Sequence, residues 1–208
     1  VIRAQRSTLR LRTDLVLGDR SSIRGECFIE LRELLLQITS DQTLSASDRW
    51  FFPTNGEVRG VGSIINPAEG AIIFLPGASL NYFSNIILQG VINQNFLGLS
   101  GRPNKFVLNN MGIVLGTSWN IPGLEVSLQN LTVVSGQRGS VMTFLNKLRF
   151  DSFSDMIVGP GITLKLQLLD SLETTGGLVL NNAVLEYYAT PTSTFIFSSG
   201  QGRPANGK

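Results

Sequence analysis

Phe106-Val107-Leu108-Asn109-Asn110-Met111-Gly112-Ile113-Val114-Leu115-Gly116 is followed, twenty residues on, by Val126-Ser127-Leu128-Gln129-Asn130-Leu131-Thr132-Val133-Val134-Ser135-Gly136. Apolar residues coincide in this frame at 106/126, 108/128, 111/131 and 113/133. Asparagine coincides at 110/130 and glycine at 116/136. A fixed period with the same residue types at the same places is typical of repeat architectures. The stretch therefore predicts a solenoid.

The same frame recurs elsewhere in the chain. Residues 178–185 copy residues 106–113 closely, with Asn182 at the position of Asn110. Residues 86–92 and 148–153 lie about one period before and after the two best copies. Each unit has a short run of alternating apolar and polar residues, then a polar corner, then a second short run. This pattern is typical of strands with one inward face.

The polar corner of each unit carries asparagine for a physical reason. Asparagine tolerates left-handed backbone angles and can bond its own backbone, so it suits a sharp turn between two strands. Stacked asparagine side chains can also bond one another from coil to coil. We therefore predict a structural ladder of Asn110, Asn130 and Asn182.

A coil of about twenty residues with two or three short strands resembles the right-handed parallel β-helix of pectate-lyase-like enzymes, phage tailspikes and bacterial surface proteins. The resemblance covers residues 80–136 and 145–190, and the first eighty residues loosely. It implies an all-β fold with about eight coils, forming one domain over residues 1–208. The alternative is a jelly-roll β-sandwich, which also has many short strands but does not predict a repeated asparagine frame.

Three segments stand apart from the repeat. Residues 1–24 are basic, and residues 198–208 are rich in Gly, Ser and Pro, so we expect a flexible tail there. Residues 25–40 fit either a capping helix or a coil of the repeat, with a slight preference for the coil.

The start at Val1 shows no secretory signal and no initiator methionine, which indicates that processing has removed a segment or that the natural chain begins earlier.

Composition bounds the class of protein. Hydrophobic residues make up 42% and charged residues 15%, which excludes a disordered chain, and no apolar run is long enough for a membrane span. The net charge is only +2, but arginines crowd the first residues. Arg10 and Arg12 are candidate contacts to an anionic partner such as a glycan, against the alternative of a solvated or interlocking face. No aromatic residues interleave with them, which argues against nucleic acid.

The residues needed for catalysis or metal binding are sparse. The chain has no histidine, and its single cysteine, Cys27, is expected to be a buried hydrophobe. Asp151 and Asp155 are the closest carboxylates considered for catalysis, but no acidic column forms beside them, so solvated turn residues are the preferred interpretation. We predict no catalytic residue, no cofactor and no metal.

Two further positions need an interpretation. Asn130-Leu131-Thr132 is a glycosylation sequon, but Asn130 is also a corner of the repeat, and the structural interpretation is preferred. Trp119 falls between two good coils and is the best single candidate for a ligand or partner contact.

The sequence leaves two classes of function. The first is a non-enzymatic subunit of an extracellular fibre, cell-surface filament or virion that self-associates by end-to-end stacking, because the ends of a β-helix carry open edges. The second is a glycan-binding or glycan-cleaving module, such as an adhesin or tailspike fragment.

Overall fold

The computed structural model describes residues 1–45, 47–66, 71–73, 81–90, 105–121, 125–145, 147–151, 153–168, 171–174, 176–189 and 194–197. These residues form strands joined by tight corners, and no helix occurs among them. None of them therefore belongs to a helix with the length and apolarity needed to cross a membrane. The predicted flexible tail, residues 198–208, lies outside the described residues.

The strands are short and numerous. They are β1 (Ile2–Arg10), β2 (Leu15–Leu17), β3 (Ile23–Glu30), β4 (Leu35–Ile38), β5 (Gln42–Thr43), β6 (Arg49–Phe51), β7 (Gly56–Gly60), β8 (Ser63–Asn66), β9 (Ala71–Ile73), β10 (Asn81–Ser84), β11 (Ile87–Gly90), β12 (Lys105–Leu115), β13 (Trp119–Ile121), β14 (Glu125–Gly136), β15 (Val141–Phe144), β16 (Lys147–Phe150), β17 (Asp155–Val158), β18 (Thr163–Leu168), β19 (Ser171–Thr174), β20 (Gly177–Leu180), β21 (Val184–Ala189) and β22 (Thr194–Phe197).

The strands stack into a parallel β-solenoid. A long sheet has a main column of nine strands in the order β2-β4-β7-β10-β12-β14-β16-β19-β22 and a side column that ends at β20. Two four-stranded sheets, β1-β3-β6-β9 and β13-β15-β18-β21, complete the walls. The solenoid has about six turns between β4 and β19, slightly fewer than the eight coils predicted from the sequence. The end strands β2 and β22 extend the main column.

The direction of pairing decides between the two folds considered. Each described strand pair is parallel, and each partner lies one coil further along the chain, from β1 on β3 to β19 on β22. A jelly roll is built from antiparallel pairs. The solenoid prediction is therefore confirmed, and the β-sandwich alternative is wrong.

The twenty-residue register is correct before the corner and wrong after it. Lys105–Asn109 pairs with Glu125–Gln129, as the repeat predicts. Met111–Leu115 pairs with Thr132–Gly136, one residue further along than the repeat predicts. Leu131 is the extra residue, because β14 carries a bulge at this corner. Every predicted apolar match beyond the corner is shifted by one position.

The core lies inside the stacked coils. Along the main column, consecutive inward positions are filled by large apolar side chains that are at most 3% exposed: Leu36, Val58, Phe83, Leu108, Leu128 and Phe150. Because each of these residues packs on its equivalents above and below, burial in one coil depends on the neighbouring coils.

The first residues belong to the solenoid. The basic segment forms β1 and β2, which stack on β3 and β4. Residues 25–40 are a coil rather than a capping helix: β3 and β4 are joined by a tight turn in which Arg32 and Glu33 have φ angles of 52° and 70°. The alternating inward positions of β3 and β4 explain this outcome, because they match the strands of the next coil.

Candidate functional site

One corner of the solenoid is a column of asparagines. Asn85, Asn110 and Asn130 have φ angles of 55°, 52° and 56°, in the left-handed region that asparagine tolerates. The side-chain amide of Asn110 donates to Oδ1 of Asn85 at 2.9 Å, and that of Asn130 donates to Oδ1 of Asn109 at 2.6 Å. Sequence reasoning missed Asn85, which lies 25 residues before Asn110 and therefore falls outside the twenty-residue frame.

Asn182 lies in a different column. It follows β20, and its carbonyl oxygen accepts from the backbone N–H of Gly161 at 3.0 Å. Gly161 in turn accepts from the N–H of Gly139 at 2.7 Å. All three residues have left-handed φ angles, 52°, 76° and 88°. Residues 178–185 resemble residues 106–113 because both contain a left-handed corner, although the two corners join different walls.

Trp119 is a core residue rather than an exposed contact. Its side chain is 2% exposed, and it lies in register with Met142, which is fully buried. The indole Nε1 has no hydrogen-bond partner among the described residues. Glycine, serine and proline flank Trp119, so the sequence predicted a loop, but β13 is a three-residue strand that points the indole inward.

The two candidate arginines lie on the first coil. Arg10 Nε lies 3.1 Å from Glu30 Oε2 in the next coil, and its side chain remains 65% exposed. Arg12 is exposed in the turn after β1. Both side chains are therefore at the N-terminal end of the solenoid and in contact with solvent.

The carboxylates considered for catalysis have separate roles. Asp151 Oδ1 accepts from the Ser127 hydroxyl at 3.1 Å and lies 3.0 Å from Arg149 Nε, and its Oδ2 accepts from Gln129 at 2.8 Å. Asp155 begins β17 and is exposed. Asp151 thus ties adjacent coils together, and the described residues contain no group of three or more potential metal ligands.

The sequon at Asn130 is built into the repeat. Asn130 donates to the neighbouring coil, and the Thr132 side chain is fully buried in the core. A folded chain therefore presents only part of the acceptor sequence.

Cys27 is also buried, at 1% exposure, and burial raises the pKa of its thiol.

Asp48 is a buried carboxylate with several hydrogen-bond donors around it. Its side chain is 1% exposed and lies 2.9 Å from Arg24 Nη1. It accepts from the backbone N–H groups of Gly25 at 2.6 Å and Ser45 at 2.7 Å, and from the Ser45 hydroxyl at 2.8 Å. Burial acts to raise the pKa of Asp48, but these hydrogen bonds outweigh it and lower the pKa below its ordinary value.

The C-terminal tip, which we define as the inward positions of β20 and β21, is the place where the core is left open. Leu185 is 42% exposed, although it is in register with Leu164, which is fully buried. Tyr187 is 39% exposed above Leu166, which is 2% exposed. In the described part of the chain, β20 and β21 each end their columns. These side chains therefore point toward the core, and no described strand pairs with β20 or β21 on the outer side.

Known proteins add no further information about this tip. Comparison of the chain with family models, with curated proteins and with solved structures finds no match.

Proposed function

We propose that this chain is a non-enzymatic structural subunit that assembles end to end through its solenoid. The observation that carries the proposal is the loss of burial along one inward column. Leu164 is fully buried by the coil above it, whereas Leu185, at the same position of the last coil, is 42% exposed. A further coil placed on β21 would bury Leu185 as Leu185 buries Leu164.

The backbone supports the same conclusion. The terminal strand of a sheet presents unpaired N–H and C=O groups on its outer side, and such edges pair with added strands. Among the described strands, an open edge and partly exposed apolar side chains coincide at β21, which is the arrangement that a β-strand partner requires. Repeated addition of copies in one direction yields an open filament.

The chemistry of the chain agrees with a structural role. Asp151 is held between Ser127, Gln129 and Arg149, which leaves it poorly placed for proton transfer to a ligand. The chain contains no histidine, the commonest general base. These features support a protein whose surfaces bind rather than react.

The proposal is tested by assembly of the purified full chain. We expect concentration-dependent growth in analytical ultracentrifugation and rods in negative-stain microscopy, with the strand spacing of about 4.8 Å along the rod axis in fibre diffraction. Leu185→Lys should abolish growth, because it places a charge in the contact. Val61→Lys is the matched control, since Val61 is 84% exposed on a side corner. A wild-type protein that stays monomeric at high concentration would refute the proposal.

A second function, glycan binding, has one observation in its favour. Tyr188 on β21 is 51% exposed, and Lys165 Nζ lies 4.7 Å from its ring centroid. An exposed tyrosine beside a cation suits an acidic sugar, which stacks on the ring and pairs with the ammonium group. Thermal shift with polyuronides, with and without calcium, tests this function, and an unchanged melting temperature would set it aside.

A further inference from the structure

The first strand of the solenoid carries arginines and no acidic residue. Arg3, Arg6 and Arg10 lie on β1, and Arg12 follows in the turn after it; we call these four residues the arginine row. At about 3.3 Å per residue, the part of the row on β1 extends for roughly 20 Å. The row therefore presents its positive charges along a line rather than around one point.

The neighbouring strand shows which way the row faces. Cys27 and Ile29 of β3 are 1% and 0% exposed and point into the core. Because side chains alternate along a strand, Glu26, Phe28 and Glu30 point outward. The arginines that contact these residues therefore lie on the outer face of the wall.

Ion pairs on this face leave it positive. Arg6 Nε lies 3.3 Å from Glu26 Oε2, and Arg10 Nε lies 3.1 Å from Glu30 Oε2. Arg32 also lies 3.0 Å from Glu30, so two guanidinium groups share one carboxylate. The side chains of Arg6 and Arg10 are 84% and 65% exposed, against 32% and 17% for their glutamate partners. The guanidinium groups are therefore more accessible to a ligand than the carboxylates are.

Arg3 and Arg12 add positive charge that is not neutralised within the described part of the chain. Both side chains are exposed, and neither takes part in an ion pair among the described residues. The acidic residues nearest in sequence, Asp14 and Asp19, lie on either side of β2 and outside the row. The row can therefore pair with an external anion.

Phe28 places an aromatic ring beside the row. It is in register with Thr8, which lies between Arg6 and Arg10 on β1. The ring is half-buried and stacks on Phe51, with centroids 4.7 Å apart. Sequence reasoning missed this aromatic residue because it comes from the next coil. A fixed ring between cationic groups suits a sugar whose acidic groups pair with the arginines.

We propose that the outer face of β1 binds a linear acidic polysaccharide, which lies along the arginine row. A line of exposed guanidinium groups complements the repeated negative charges of such a chain. A single-stranded nucleic acid needs several rings on which successive bases stack. Among the described residues of this wall, Phe28 is the aromatic residue whose ring reaches solvent. The site is separate from the C-terminal tip, so it goes beyond the end-to-end assembly proposed above.

Calorimetric titration of the dilute full-length chain with heparin oligosaccharides tests the proposal. Arg3→Gln with Arg12→Gln removes two exposed charges that have no described ion pair, and it should weaken heparin binding about tenfold. Arg138→Gln is the matched control, since Arg138 is exposed in the turn between β14 and β15, and it should leave binding unchanged. Circular dichroism should show the same fold for all three proteins.

Salt dependence provides a second readout. Binding should weaken steeply between about 0.05 and 0.5 M NaCl, and less steeply in the double variant, because fewer charges are then screened. Absence of heparin binding, equal binding by the double variant, or an equal loss in Arg138→Gln would overturn the proposal. Tighter binding to phosphatidylserine vesicles or to single-stranded DNA than to heparin would overturn the assignment to a polysaccharide. None of these results bears on assembly, which sedimentation measures without any polysaccharide.

Discussion

Replacing Asp48 with asparagine should destabilise the solenoid more than any equivalent substitution at a surface aspartate. The carboxylate joins the loop before β6 to β3 through Arg24, Gly25 and Ser45. Asparagine keeps one oxygen but turns the other into an amide donor. Since donors face both oxygens of Asp48, either orientation of the amide sets a donor against a donor.

The magnitude follows from burial. Removing one partner of a buried ion pair costs about 3–5 kcal/mol, because the remaining groups lose their compensation. Asp48 is 1% exposed, but the Arg24 side chain is 42% exposed and regains water when the carboxylate is lost. We therefore expect Asp48→Asn to lower the free energy of unfolding by about 2–3 kcal/mol at pH 7.

The pH dependence has a definite sign. The folded-state pKa of Asp48 is lowered, because the hydrogen bonds from Gly25, Ser45 and Arg24 outweigh the opposing effect of burial. A lowered carboxyl pKa stabilises the fold fully above the unfolded-state value of about 3.9, and that stability is lost as the pH falls through the folded-state pKa. The wild-type chain should therefore lose stability below about pH 4, and Asp48→Asn should remove this part of the loss.

Urea denaturation followed by circular dichroism at pH 7 and pH 3 measures both effects. Asp14→Asn is the matched control: Asp14 is exposed, and its Oδ1 accepts only the Leu35 N–H among the hydrogen bonds described, at 2.9 Å. Asp14→Asn should lower the free energy of unfolding by about 1 kcal/mol or less. If Asp48→Asn cost no more than Asp14→Asn, or kept the full acid sensitivity of the wild type, the account of this carboxylate would be wrong.

Three further predictions concern the stack itself. Leu164→Ala should lower the free energy of unfolding of the dilute monomer by about 3–5 kcal/mol. Leu185→Ala should lower it by about half as much, because Leu185 lies in the same column but is 42% exposed. Urea titration of both variants measures the difference. Phe153→Asn should stabilise the chain by about 1 kcal/mol, measured in the same way, because Phe153 has a φ angle of 64° and is 94% exposed, so nothing compensates its left-handed strain. Gly60→Ala should destabilise by about 1–3 kcal/mol, seen as a lower melting temperature, because its Cβ would overlap the carbonyl oxygen of Ile38 in the coil below.

The fold could be predicted from the sequence because the same physical demand recurs in every coil. Asn110 and Asn130 are predictable corners, since few other residues tolerate a left-handed turn between two apolar strands. The register beyond that corner was not predictable. Val133 and Val134 are identical in hydropathy, and only the bulge at Leu131 decides that Val134 faces inward, fully buried, while Val133 is 38% exposed.

The candidate site was harder to predict for a different reason. Exposure at the C-terminal tip is not a property of Leu185 or Tyr187 themselves, because the equivalent positions of the two preceding coils hold buried apolar residues, Met142 and Phe144 in β15 and Leu164 and Leu166 in β18. It arises because β21 ends its column in the part of the chain that the structure describes, and that place depends on pairing between distant strands. Trp119 shows the opposite case, since an aromatic residue between loop-forming neighbours is buried in register with Met142 of the next coil.

Stacking therefore links the stability of the chain to its proposed assembly. In a solenoid each coil contributes its own stability plus an interface with each neighbour, so a terminal coil lacks one interface. Completing burial of Leu185, now 42% exposed, is worth about 0.6–1.3 kcal/mol, which is 42% of the value for burying a leucine side chain in full. That gain from one residue is too small to hold two subunits together. Backbone pairing along the strand edges must therefore supply most of the affinity, so truncating Leu185 alone should weaken assembly without abolishing it.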